Sequence, residues 1–198
     1  MTKAAYLVFS LLFAATPAKS ADFSDPDWPC IQRKVENLSI GLMWPHPVEE
    51  TVLPQEARDL AEALSLRRVG LDEAEEHIRA FIATYPETGP QLVGGVFRRV
   101  FDNLAGDRQR VMRGIANYAR SQAALSAKID DKRAEMDTLL AAGSPDYDRI
   151  DKLEEQIDWD ERIYKDRNSA LTYVCETPVL LEKRIYAIAR MLMEFTPE

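Results

Sequence analysis

The chain has 198 residues and a mass of 22.5 kDa, with 46% hydrophobic residues, 33 acidic against 25 basic side chains, 11 Pro, 8 Gly and only 2 Cys. That is one domain's worth of length with enough apolar material for a real core, in globular rather than disordered or fibrous proportions. A net charge of −8 weighs against non-specific nucleic-acid binding, whose affinity comes mainly from Lys and Arg placed on phosphates.

Lys3 opens a short polar start, an apolar run follows from Ala4 to Ala15, and Thr16-Pro17-Ala18-Lys19-Ser20-Ala21 closes the segment. This is the order of a secretory signal peptide, with small Ala18 and Ser20 before a cut after residue 20. Its apolar core is shorter than the ~20 residues a membrane-crossing helix needs, so removal rather than anchoring is expected. Cleavage removes Lys3 and Lys19 and leaves 23 basic against 33 acidic residues, a net −10. The expected destination is the periplasm, or the medium if the cell has no outer membrane, and no later segment is apolar enough to span a bilayer. In such an oxidising compartment the two cysteines allow one intramolecular pairing, Cys30 with Cys175.

Residues 21–54 contain Pro26, Pro29, Pro45, Pro47 and Pro54. Proline removes a donor and restrains its predecessor to extended geometry, which predicts a wrapping strap with at most a short helix over Ile31 to Ser39. Trp28, Ile31, Val35, Leu42, Trp44 and their apolar neighbours are expected to pack it onto the helices that follow.

Three helices are predicted over 55–106. Pro54 stands before Ala57, Leu60, Ala61 and Leu64 at helical spacing. Asp72 and Glu75 stand in capping-box relation ahead of Ile78, Phe81 and Ile82, and Pro86 ends the second helix. The third shows Leu92, Val93, Val96, Phe97, Val100, Phe101 and Leu104 on one face, with Gly94-Gly95 permitting close approach. Gly106-Asp107 reads as a stop and a restart.

The strongest signal lies in 107–175. Ile115, Tyr118, Gln122, Leu125, Ile129, Lys132, Met136 and Leu139 step by three and four residues up to the turn Ala141-Ala142-Gly143-Ser144-Pro145. Beyond it Ile150, Leu153, Ile157, Asp160, Tyr164, Arg167, Leu171 and Val174 repeat the ladder in reverse, and every opposed pair keeps one index sum. The match predicts an antiparallel coiled-coil hairpin, with Lys132 and Asp160, one layer apart, pairing across the seam and Gln122 facing Arg167. A last helix, within 176–198, is predicted to start at Thr177-Pro178, a cap and a first-turn proline. The fold class is therefore all-α: a helical domain over 21–198 with a long hairpin and a disulfide-tethered, proline-rich N-terminal strap.

No catalytic constellation is recognisable, and no cofactor motif is present. Asp146, Asp148 and Asp151 crowd the hairpin turn but lack the glycine and glutamate of a calcium loop. His46, held between Pro45 and Pro47 with Glu49 and Glu50 behind it, is the one candidate metal site. His77 lies at a polar boundary position. Charge is more informative: residues 98–120 carry +4 and residues 130–161 carry −8. Arg110, Arg113, Asn117 and Arg120 share one helix face that could take an anion or an acidic partner segment.

These features favour an exported, non-enzymatic protein that binds another protein, or a second copy, through its hairpin and charged faces, in an adaptor, accessory or chaperone-like role. The alternative is a small-ligand or metal-binding protein using the arginine face for an anion, or His46 with its carboxylates for a cation. An enzyme such as a cell-wall hydrolase would have to recruit Glu49, Glu50 or Glu56 as an acid, and their spacing carries no catalytic signature.

Overall fold

The structure, a computed structural model, describes residues 25–48 and 52–196. All the regular structure among them is helical: one 3-10 turn at Ile40–Leu42, then α1 (Gln55–Ser65), α2 (Leu71–Thr84), α3 (Pro90–Leu140) and α4 (Tyr147–Met193). Pro54 and Gly89 hold extended backbone at the starts of α1 and α3, and Pro90 takes the first turn of α3. Asp146 caps α4 by accepting from the Arg149 amide at 3.2 Å. At 1.5 Å per residue, the 51 residues of α3 and 47 of α4 extend ~77 and ~70 Å, and they pack antiparallel along one another.

The expected breaks inside these helices are absent. α3 runs through Gly106-Asp107 and α4 through Thr177-Pro178, so the base and the hairpin share their two long helices. An interior glycine costs only ~1 kcal/mol of helix propensity, less than the ~2 kcal/mol that burying Leu104 beside it gains. Pro178 is buried, and the bond its missing N–H forfeits would have gone to the carbonyl of half-exposed Val174, which water can serve.

The core lies at the base. Trp44, Leu64, Ile78, Phe97, Leu104 and Ile185 belong to one cluster that gathers α1, α2, the start of α3 and the end of α4. Trp44 stacks on Phe97 with centroids 4.8 Å apart, and its ring lies over Gly94. A smaller cluster of Trp28, Cys30, Met112, Ile115, Leu171 and Cys175 sits at the root of the hairpin. There the predicted disulfide joins Cys30 to Cys175, with Cα atoms 5.5 Å apart and 145 positions between them in sequence.

Other local expectations need correction. Residues 31–39 form no helix, and the only helical turn among the described strap residues comes later, at Ile40–Leu42. α2 begins at Leu71 after Gly70, so Asp72 is inside the first turn and does not cap it. In the strap, Trp28 and Trp44 are buried but Ile31, Val35 and Leu42 are exposed, since an extended segment touching a helix pair can seat only some of its side chains.

Candidate functional site

Sequence pairing located the hairpin seam correctly in its outer half. Ile129, Ile150, Leu153 and Ile157 are buried between the arms. Lys132 Nζ donates to Asp160 Oδ2 at 2.8 Å, and Lys128 reaches the same oxygen at 3.1 Å. The hydrogen bond from Lys132 holds the Asp160 carboxyl below the usual aspartate range against the opposing effect of burial, with a lesser contribution from Lys128. Arg133 bonds Glu161 at 2.6 Å and Arg149 bonds Glu135, so both arms are laced at their edges.

Towards the root the pairing shifts. Gln122 Nε2 donates to the Tyr164 carbonyl at 3.2 Å, and the Arg167 side chain expected opposite it is exposed. Tyr118 Oη instead donates to the Arg167 carbonyl at 2.7 Å. Val174 is exposed as well, and Cys175 takes the inward position. A straight helix drifts against a strict seven-residue repeat, and the disulfide draws Cys175 to the strap.

The arginine face is real but partly occupied from within. Arg120 donates to Asp27 Oδ2 of the strap and to Asn117 Oδ1, and Arg110 pairs with Asp107 one turn earlier. Arg113 is exposed and makes no ion pair among the described residues. His46 is exposed, its ring edge-on to Trp44 at 5.9 Å, while Glu49 and Glu50 lie outside the described residues. Among the described residues no three His, Cys, Asp or Glu side chains gather as a metal site, Asp146, Asp148 and Asp151 included. His77 Nε2 lies 3.7 Å from Glu73 on the exposed face of α2. Glu56 is exposed in the first turn of α1. The signal segment 1–20 also lies outside the described residues.

Two arginines hold the frame together, and their roles were not evident from the sequence. Arg108, only 2% exposed, donates to Glu182 Oε1 of α4 at 2.6 Å and to the strap carbonyls of Val35 and Glu36. It thus ties α3, α4 and the strap at one point. Arg184 donates to the carbonyls of Leu64 and Val69, satisfying the C-terminal end of α1, and burial there lowers its readiness to hold a proton. In the sequence both look like any solvated arginine. The one signal was position: Arg108 continues the buried spacing from Leu104 to Met112.

Along the hairpin, Arg120 is the farthest point at which described strap residues bond to the arms. Beyond it Trp159, 61% exposed, and at the root Tyr173, 76% exposed, stand on the outer face of α4, and no described element covers them. Beside Trp159 a groove of about 590 Å³ runs between the arms, lined by Lys128, Lys132, Glu155 and Arg162 among others. Among the described residues no helix is long and apolar enough to cross a membrane. No protein-family model matches this chain, and neither a curated protein nor a solved structure shows detectable similarity to it.

Proposed function

We propose that the chain is an exported helical protein, without catalysis of its own, that binds another protein through its hairpin and charged faces in an adaptor, accessory or chaperone-like role. The observation that carries this reading is the apolar outer face of α4, where Trp159 and Tyr173 lie in solvent on a projecting arm. The two aromatic side chains stand ~21 Å apart on one helix face, the spacing of anchors for an elongated partner. The disulfide supports an oxidising destination, the periplasm in a cell with an outer membrane. A ligand-binding role has less behind it, because Asp27 already supplies the carboxylate on Arg120.

The test is chemical cross-linking and pull-down of the tagged mature protein from its native compartment, compared with a Trp159→Glu/Tyr173→Lys variant of the same helicity. A stoichiometric protein recovered with the natural chain and lost with the variant is expected. An identical recovery from both would refute a binding role for this face.

A further inference from the structure

The exposed and half-buried residues on the outer face of α4 form a second heptad ladder, distinct from the seam to α3. Trp159, Ile163, Asp166, Ala170, Tyr173, Thr177 and Leu180 step by four and three in strict alternation over ~32 Å of helix. Trp159, Tyr173 and Leu180 are 61%, 76% and 48% exposed. A heptad stripe of this kind is the surface a helix presents to another helix. The residues on its flank show which helix.

Immediately before each ladder position Ile163, Ala170 and Thr177, and one heptad beyond at either end, the flanking residues are Glu155, Arg162, Ser169, Glu176 and Lys183. None of the four charged ones makes an ion pair within the described part of the chain. In an antiparallel pair of identical helices, flanking positions meet their counterparts at a constant index sum. When Ile163 of one copy packs on Tyr173 of the other, that sum sets Arg162 against Glu176 and Glu155 against Lys183, each twice by symmetry, with Ser169 near the axis. A slip of one heptad in one direction places Arg162 on Lys183, and in the other places Glu155 on Glu176. One register alone satisfies all four charges. Its single like-charge approach, Arg167 towards its own copy, lies beside Asp166 in the central layer.

The same arrangement suits the charge of the whole arm. It lays the outer half, which carries −8 over residues 130–161, along the other copy's base, which carries +4 over 98–120 and +3 over 162–190. We infer that the outer face of α4 is a self-association surface, and that the partner it takes is a second copy of this chain, packed antiparallel about an axis near Asn168. The inference rests on reading the hairpin as a protein-binding surface and names the partner.

The experiment is sedimentation equilibrium of the purified, oxidised mature protein, with Arg162→Glu, Glu176→Arg and the double swap. Positions 162 and 176 stand ~21 Å apart on one helix, so they cannot pair within a chain. A dimer is expected, weakened at least about tenfold by either single reversal and restored to within about threefold by the double swap. A monomer up to ~100 μM, or a dimer indifferent to the reversals, would overturn the inference. A monomer whose native partner is still lost on Trp159→Glu/Tyr173→Lys would overturn self-association and leave the binding role standing. Loss of neither would sink both.

Discussion

Arg108 and Glu182 make opposite predictions for the two ends of one ion pair. The guanidinium side chain is 3% exposed and the carboxylate 30%, at 2.6 Å. Removing the buried member by Arg108→Met takes the desolvated charge away with it. Glu182 can then hydrate, and so can the carbonyls of Val35 and Glu36, whose residues are exposed. The cost should be ~1 kcal/mol, since an apolar side chain of similar volume often replaces a buried charge with little loss. Removing the more exposed member by Glu182→Ala strands a cation in the core with only neutral acceptors, which costs ~3 kcal/mol or more. With a urea dependence of ~2 kcal/mol per molar, the midpoints should fall by ~0.5 M and ~1.5 M respectively. The double variant should recover most of the loss caused by Glu182→Ala. Urea titration of the oxidised protein at neutral pH, followed by far-ultraviolet circular dichroism, reads all three. If Arg108→Met proved the more damaging, or failed to relieve Glu182→Ala, the strap bonds rather than desolvation would dominate this site.

Replacing Cys30 and Cys175 by serine should cost ~2–4 kcal/mol, below the ~5 kcal/mol that loop entropy alone would allow. Helix content should persist while Trp28, whose indole bonds the Gln32 carbonyl at 2.6 Å, moves into water and shifts its fluorescence to the red. Acid should weaken the hairpin. Because Lys132 holds the folded Asp160 carboxyl below the ordinary 3.8, its contribution is complete above that value and disappears as pH falls through the lower folded one. Thermal melts between about pH 5 and 2 should show this decline, and Asp160→Asn should flatten it at a lower starting stability. At the base, Trp44→Ala should cost ~3–5 kcal/mol. Trp44→Phe should cost much less, because Trp44 Nε1 is buried and finds no hydrogen-bond partner among the described residues. Gly94→Ala should stabilise by ~0.5–1 kcal/mol, since its methyl would meet the Trp44 ring no closer than 3.7 Å. Chemical denaturation of these three variants checks the order.

The hairpin was legible because two independent patterns agreed, the helical period in each arm and the constant index sum between them. Lys132 and Asp160 are an instance: polar residues at seam positions one layer apart, which the structure joins. The disulfide was legible by arithmetic, since two cysteines leave one pairing. Helix ends were not. Gly106 and Thr177-Pro178 carry local stop signals worth ~1–3 kcal/mol, and packing on both sides outweighs them. The strap resisted for a different reason. Without a period, Ile31 and Trp28 carry the same apolar signal, and only contact with α3 and α4 decides that one is exposed and the other buried. Arg108 and Arg184 were invisible in their roles because the backbone carbonyls they satisfy come from distant segments.

The polar layers also bear on the proposed association. Between the root cluster and the tip, the seam passes through Gln122 and the Lys132–Asp160 pair, so a stretch of two-helix arm is held by few apolar contacts. Buried polar layers of this kind fix register at the expense of stability. An isolated helix pair so constructed gains little from burial and must be supported at its ends. The disulfide, Arg108 and the Arg120–Asp27 bond all brace the root. The outer half is held only by its own seam and by edge pairs such as Arg133–Glu161 and Arg149–Glu135, and its exposed Trp159 lies on a face that no other described element covers. A partner laid along α4 would bury that face, and would add support to a segment that the disulfide and the strap do not reach. Association and hairpin stability should therefore rise and fall together, so that a hairpin variant such as Asp160→Asn loses part of its partner affinity without touching the interface.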